Sequence, residues 1–267
     1  MTTLRTLAHF AHRWILRSTE ITARIPEHDL QLQVSPADVI GRHLYKYRRY
    51  EPELAATLEH HLDLGSADLM VDIGANMGWY SLLVSRLSRA RCQVFAFEPD
   101  PENFARLQRN LALNDIRQVT AFNLAVGETA ATLQLHRYGK GNAGRHSLVD
   151  LHAGETIPVQ VVSLDAYWAA QALPAGPIRL LKMDIEGYEV FALRGAREVL
   201  ARCEWLLLEH SPAYLAQSGA DIDALVDLLV DSGFTPYAPK GAAALQAIEI
   251  NELRHDPAQR DVLWGRR

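Results

Sequence analysis

The 267-residue chain has only two cysteines, Cys92 and Cys203, and no C-x-x-C pair. Both sit in apolar runs that read as strands, so buried free thiols are expected, and a disulfide scaffold is excluded. A reducing compartment is the default, and the expected location is cytoplasmic. No apolar run approaches the roughly 20 residues that a membrane-spanning helix needs. Neither sign of charge dominates: 32 acidic and 27 basic residues leave a net −5. That balance speaks against binding bulk nucleic acid. Walker loops and nucleophile elbows are missing as well. What is present is ordinary for a globular protein, 48% hydrophobic and 22% charged, which excludes disorder and collagen-like structure.

The first residues carry Arg5, His9, His12, Arg13 and Arg17 scattered among apolar positions, unlike a secretory signal. Leu7, Phe10, Trp14 and Ile15 recur at helical spacing. The simpler reading is a helix packed on its own domain; a basic amphipathic helix on a membrane or partner is the other. The pairs His9/His12 and His60/His61 lack zinc-site spacing and acidic company, and read as exposed helix residues. Residues 1–66 read as an N-terminal helical extension broken at Pro26, Pro36 and Pro52. Its last helix, 53–64, has Leu54, Leu58 and Leu62 on one face and Gly65 as its stop.

From residue 69 the pattern alternates between strands and helices. Strands are expected at 69–73, 93–97, 119–122, 178–183, 205–209, 234–237 and 262–264. An inserted hairpin, about 130–162, flanks a Gly-rich loop. Short connections between alternating elements predict a doubly wound α/β domain, 67–267, with a mostly parallel sheet. Ligands of such folds bind beyond the carboxyl ends of the strands.

After the first strand come Asp72-Ile73-Gly74-Ala75-Asn76-Met77-Gly78 and then a helix. Gly74 and Gly78 allow a tight turn beside a ligand, and a helix N-terminus offers free N–H groups. Asp72 suits an ammonium group and disfavours a pyrophosphate. Glu98 ends the second strand, where an acid can accept two ribose hydroxyls. These features fit S-adenosylmethionine, which has an amino acid end and a ribose end. A literal G-x-G-x-x-G at Gly139, Gly141 and Gly144 lies in the insertion with no helix after it, so it fails as a dinucleotide fingerprint. With Asn142, Arg145, His146 and Ser147 it reads instead as a loop over the substrate or as an ordinary solvated loop.

Residues 71–81 (VDIGANMGWYS), 97–101 (FEPDP) followed by Leu107, Asn110, Leu111 and Asn114, and 181–189 (LKMDIEGYE) resemble the motifs of FkbM-type S-adenosylmethionine-dependent methyltransferases. Val162-Ser163-Leu164-Asp165 resembles the segment before the last of these. The similarity spans about residues 45–265. It implies a class I methyltransferase, Rossmann-like fold with a seven-stranded sheet whose last strand is antiparallel. It also implies O-methylation of a sugar or secondary metabolite, so the partner is a small-molecule or glycan acceptor and no nucleic acid. Carried over, Asp72, Gly74, Ala75, Asn76, Gly78, Tyr80 and Ser81 would surround the methionine part of the cofactor. Glu98 and Pro99 would hold the ribose, Asn123 and Leu124 the adenine, and Asp184 would border the cofactor.

A sugar hydroxyl is a poor nucleophile, so a base or a metal must help remove its proton. Asp184 after the fourth strand and Glu209-His210 after the fifth are the catalytic candidates. In one reading His210 is the base, oriented by Asp184 or Glu209. In the other the three hold a divalent cation, at positions similar to the metal ligands of catechol-type O-methyltransferases; a divalent metal is possible but not predicted. Glu186 is expected to bond backbone N–H groups of its turn or to touch the substrate. Lys182 is expected to pair with a buried acid. A nicotinamide-dependent oxidoreductase and a non-catalytic cofactor-binding protein remain as alternatives.

Overall fold

The computed structural model describes residues 2–62, 68–139, 141, 143–151, 154–241 and 244–266. The expected helix stop at Leu64-Gly65, the boundary at 66/67 and Asn142 lie outside the described residues. In chain order the strands are β1 (Ile21–Ile25), β2 (Leu30–Val34), β3 (Leu69–Ile73), β4 (Gln93–Phe97), β5 (Val119–Phe122), β6 (Ala125–Gly127) and β7 (Ala131–His136). They continue with β8 (Thr156–Ser163), β9 (Ile178–Met183), β10 (Cys203–His210), β11 (Phe234–Pro239), β12 (Leu245–Ala247) and β13 (Arg260–Arg266).

The main sheet runs β12-β11-β13-β10-β9-β3-β4-β5. Neighbours from β10 to β5 pair in parallel, and β13 is antiparallel to both β10 and β11. The antiparallel last strand is therefore present, but the strand count differs from the expected seven. The eighth strand, β12, turns back on the end of β11, pairing Tyr237 with Ala247 and Pro239 with Leu245. Three residues with one half-buried apolar side chain leave no periodicity to read.

Every residue of β3 is buried, as a central strand covered on both faces requires. Its side chains alternate between two cores. Leu69, Val71 and Ile73 join Phe97, Leu181, Leu193, Leu225 and Trp264 on one face. Met70 joins Leu82, Leu107, Leu180 and Leu207 on the other. The second core also takes in Ile25, Leu32, Leu44 and Leu58 from the N-terminal segment, so that segment packs against the sheet domain.

The N-terminal segment is not all helical. Its middle is a β-hairpin, with Ile21 opposite Val34 and Ile25 opposite Leu30. Ile21, Ala23 and Ile25, and then Leu30, Leu32 and Val34, are buried while their neighbours face outward. That period of two was present in the sequence, and Pro26 stands in the connecting turn Pro26–His28 and not at a helix break. The Pro101–Leu113 helix and its cap close the free edge of β2. Asn114 Oδ1 accepts from Gln31 N at 2.9 Å, and its Nδ2 donates to Gln31 O at 2.6 Å. Asn110 does the same for Gln33 and also donates to Met77 O at 2.9 Å. The insertion forms a small sheet, β6-β8-β7, with β7 and β8 as the expected antiparallel pair.

Candidate active site

The carboxyl ends of β3, β4 and β9 open into one cavity of about 870 Å³. The loop after β3 forms its floor. Gly74 N and Ala75 N both donate to Phe97 O, at 2.9 and 3.0 Å, which folds the loop over the end of β4. Gly74 has φ +77, and a Cβ there would lie 2.1 Å from Asp184 O, so only glycine fits. Gly78, with φ +93, has no room for a Cβ, which would lie 2.4 Å from Leu107 Cδ1 and 2.8 Å from Leu82 Cδ1.

Glu98 ties this loop to the next. Its Oε2 accepts from Asn76 N at 2.7 Å and its Oε1 from Asp100 N at 2.9 Å. It is 4% exposed, and burial pushes its pKa up to about 7 against those two bonds. Asn76 also lines the cavity with φ +51, and its Oδ1 is buried without a hydrogen-bond partner among the described residues. It is an acceptor that lacks a donor.

A second cavity adjoins the first, and Tyr50, Glu51, Tyr80, Lys182 and Asp184 line both. Its wall is acidic. Asp184, Glu186 and Glu209 bring carboxylate oxygens within 4.8 Å of one another. Burial and then Asp184 raise Glu186 to about 8 and Glu209 to about 10. Asp261, also on this wall, is raised to about 7 by burial and then Glu51. Glu209 is oriented by neutral donors, Ser211 Oγ at 3.0 Å and Gln259 Nε2 at 2.7 Å. Residues 72–236 match the methyltransferase FkbM domain.

The chain belongs to the FkbM methyltransferase family. It is similar to "Methyltransferase 1" of Beauveria bassiana, 29% identical over 62% of this chain and 71% of that one. To the 2-O-methyltransferase NoeI of Sinorhizobium fredii it is 27% identical, over 65% and 75%. To the 31-O-demethyl-FK506 methyltransferase FkbM of Streptomyces tacrolimicus it is 29% identical, over 68% and 78%.

In this FkbM-family enzyme the expected cofactor residues divide into two groups. Gly74, Ala75, Asn76, Tyr80, Glu98, Pro99, Leu124 and Asp184 line the first cavity. Asp72, Gly78, Ser81 and Asn123 lie outside its lining and support it. Asp72 is fully buried; its Oδ2 accepts from Ser81 Oγ at 2.6 Å and its Oδ1 faces Lys182 Nζ at 3.7 Å. The cation beside Asp72 is Lys182, as expected of a lysine seeking a buried acid. Lys182 Nζ also donates to Gly74 O at 2.9 Å and lies 3.8 Å from Asp184. Burial pulls the Lys182 pKa down, but Asp184 and Asp72 outweigh it, so the net shift is upward. Asn123 Nδ2 donates to Glu98 O and Pro99 O, at 2.8 and 2.9 Å, holding the turn behind the cavity.

His210 is not in the crevice. Successive strand residues point to opposite faces, so Glu209 and His210 cannot both face it. Glu209 shares a side with Leu207 in the second cavity, while His210 is 1% exposed with Nε2 3.2 Å from Asp256 O. Burial lowers its pKa. The His-containing ligand set is corrected in the same way: Glu186 takes that place, and an all-oxygen set suits a hard cation. Nor does Glu186 bond the amides of its turn; Glu189 Oε1 accepts from Ile185 N and Gly187 N. His210→Ala is therefore expected to keep its turnover and pH profile while losing a few degrees of thermal stability. A turnover loss of a hundredfold or more, with the fold intact, would restore His210 as the base.

Sequence reasoning missed the wall supplied by the N-terminal segment. Tyr80 Oη donates to a Glu51 carboxylate oxygen, and Tyr50, Glu51 and Tyr80 line both cavities. No motif marks Tyr50-Glu51; only the fold brings them there. From the insertion, His146, Ser147 and Leu148 line the first cavity and Arg145 the second. Ser147 Oγ donates to Glu186 O at 2.7 Å, which joins the insertion loop to the turn after β9.

Proposed function

We propose that this methyltransferase uses S-adenosylmethionine to methylate a hydroxyl of a sugar or secondary metabolite. The observation that carries the cofactor is the pairing of Glu98 with Asn76 across the first cavity. Glu98 stands where ribose hydroxyls can donate to its remaining lone pairs. The unpartnered Asn76 Oδ1 offers an acceptor to an ammonium group, the role first expected of Asp72. Leu124 and Pro99 supply an apolar edge for a base. When bound, the cofactor supplies a methyl group on a sulfonium centre for in-line displacement. A cavity lined by Glu51, Glu98 and Asp184 welcomes that positive charge. Among the described residues a dinucleotide pyrophosphate meets no free cation there, because Lys182 is already held by Gly74 O, Asp72 and Asp184.

The acidic second cavity is our acceptor site. Its carboxyl groups offer a dense set of hydrogen-bond partners to a polyol, which favours a sugar-like acceptor. Relatives whose names specify 2-O- and 31-O-methylation support transfer to oxygen. Asp184 lines both cavities, so its carboxylate is the group we assign to accept the hydroxyl proton. Calorimetric titration of the purified protein tests the cofactor. Micromolar binding of S-adenosylmethionine and S-adenosylhomocysteine with none of NAD is expected. Binding of NAD alone would overturn the reading.

A further inference from the structure

A helix on a protein surface turns its apolar side inward. The Thr2–Phe10 helix and the turn that continues it, Ala11–Ile15, do the reverse. The polar side is the one that docks. His9 was expected to be exposed, yet it is 4% exposed with Nε2 2.9 Å from Pro36 O. Arg5 Nε donates to Lys46 O at 2.8 Å, and the His9 and His12 rings meet Tyr45. Leu4, Leu7, Phe10, Trp14, Ile15 and Leu16 are left between 55% and 74% exposed. Their own domain does not cover them.

The segments that build this face carry charge of one sign. No Asp or Glu precedes Glu20, and none lies between Asp38 and Glu51. Arg17, and Arg42, Arg48 and Arg49 on and just after the Val39–Tyr47 helix that holds the Thr2–Phe10 helix, are exposed. The rest of the chain more than cancels them, to a net −5. Apolar side chains that include Trp and Phe, rimmed by arginine, match the interface of an anionic bilayer. A second copy of this chain fits less well, since a twofold contact would set one basic rim against another.

We propose that this face binds the surface of an anionic lipid bilayer, with the helix lying in the plane of the interface. The apolar side chains enter the acyl boundary and the arginines meet lipid phosphates. Such binding would present the acceptor cavity to substrates held at a membrane. The proposal stands independently of the cofactor reading.

Co-sedimentation of the full chain with phosphatidylcholine vesicles, with and without phosphatidylglycerol, tests it. Binding to the anionic vesicles should exceed that to neutral ones by about tenfold or more and should weaken as salt rises. Leu7→Glu with Trp14→Glu should abolish it while leaving the melting temperature and S-adenosylhomocysteine binding unchanged. No sedimentation with anionic vesicles would overturn the proposal. So would a solution dimer that the same double variant splits, because the face would then be a self-interface.

Discussion

Glu98→Ala is expected to weaken S-adenosylhomocysteine binding by about 1.5–3 kcal/mol, one to two orders of magnitude in Kd. Two losses combine. The bound ligand loses charge-assisted bonds from its ribose hydroxyls. The loop also loses its clasp, because Asn76 N and Asp100 N both bond this one carboxylate. Asp100 N is buried, so part of the effect will appear as lower stability of the free protein. Thermal melts alongside calorimetry separate the two. An unchanged Kd in a folded variant would remove Glu98 from the ribose site.

Lys182→Met should have the largest effect on stability. Asp72 is fully buried, and its Oδ1 has no hydrogen bond among the described residues and faces Lys182 Nζ at 3.7 Å. Removing the lysine strands a carboxylate in the core, at a cost of about 3–5 kcal/mol. In a domain of this size that corresponds to about 10 °C in Tm. The pH dependence has a definite sign. Burial already raises the Asp72 pKa, and losing Lys182, its main opposing charge, raises it further. The native state of the variant then holds a proton that the unfolded chain releases, so its deficit shrinks as pH falls through that window. Adding Asp72→Asn should recover more than half of the loss. A single variant within 1 kcal/mol of the parent, or a double variant no better than the single, would show that the pair is not coupled.

The parallel core of the fold was legible because its strands are short, apolar and separated by helices of clear periodicity. That Glu98 and Asn76 line the first cavity was legible because the strand-end rule of doubly wound sheets fixes where to look. Asp72 and His210 were misplaced for one reason. Residue type and position along the chain put both near the crevice, but neither says which face of the strand a side chain takes. Trp205, Leu206, Leu207 and Leu208 are all apolar, so alternation along this strand does not mark the side that turns to the crevice. The β-hairpin failed differently, since its alternation was hidden by Pro26 and by helical signals on both sides. Tyr50 and Glu51 reach the cavities only through tertiary packing, which a linear pattern does not encode.

The asparagines that hold β2 have a wider consequence. A two-stranded hairpin has open edges, each able to recruit a strand from another molecule. Here a helix impersonates the missing third strand, with two side-chain amides one turn apart offering donor and acceptor as a peptide ladder would. That edge is closed to cross-molecular pairing without any further chain being spent on it. Leucine or alanine would suit the helix better by propensity, but either would leave the Gln31 and Gln33 peptides unsatisfied. Two polar residues inside an apolar helix face thus act as a guard against polymerisation.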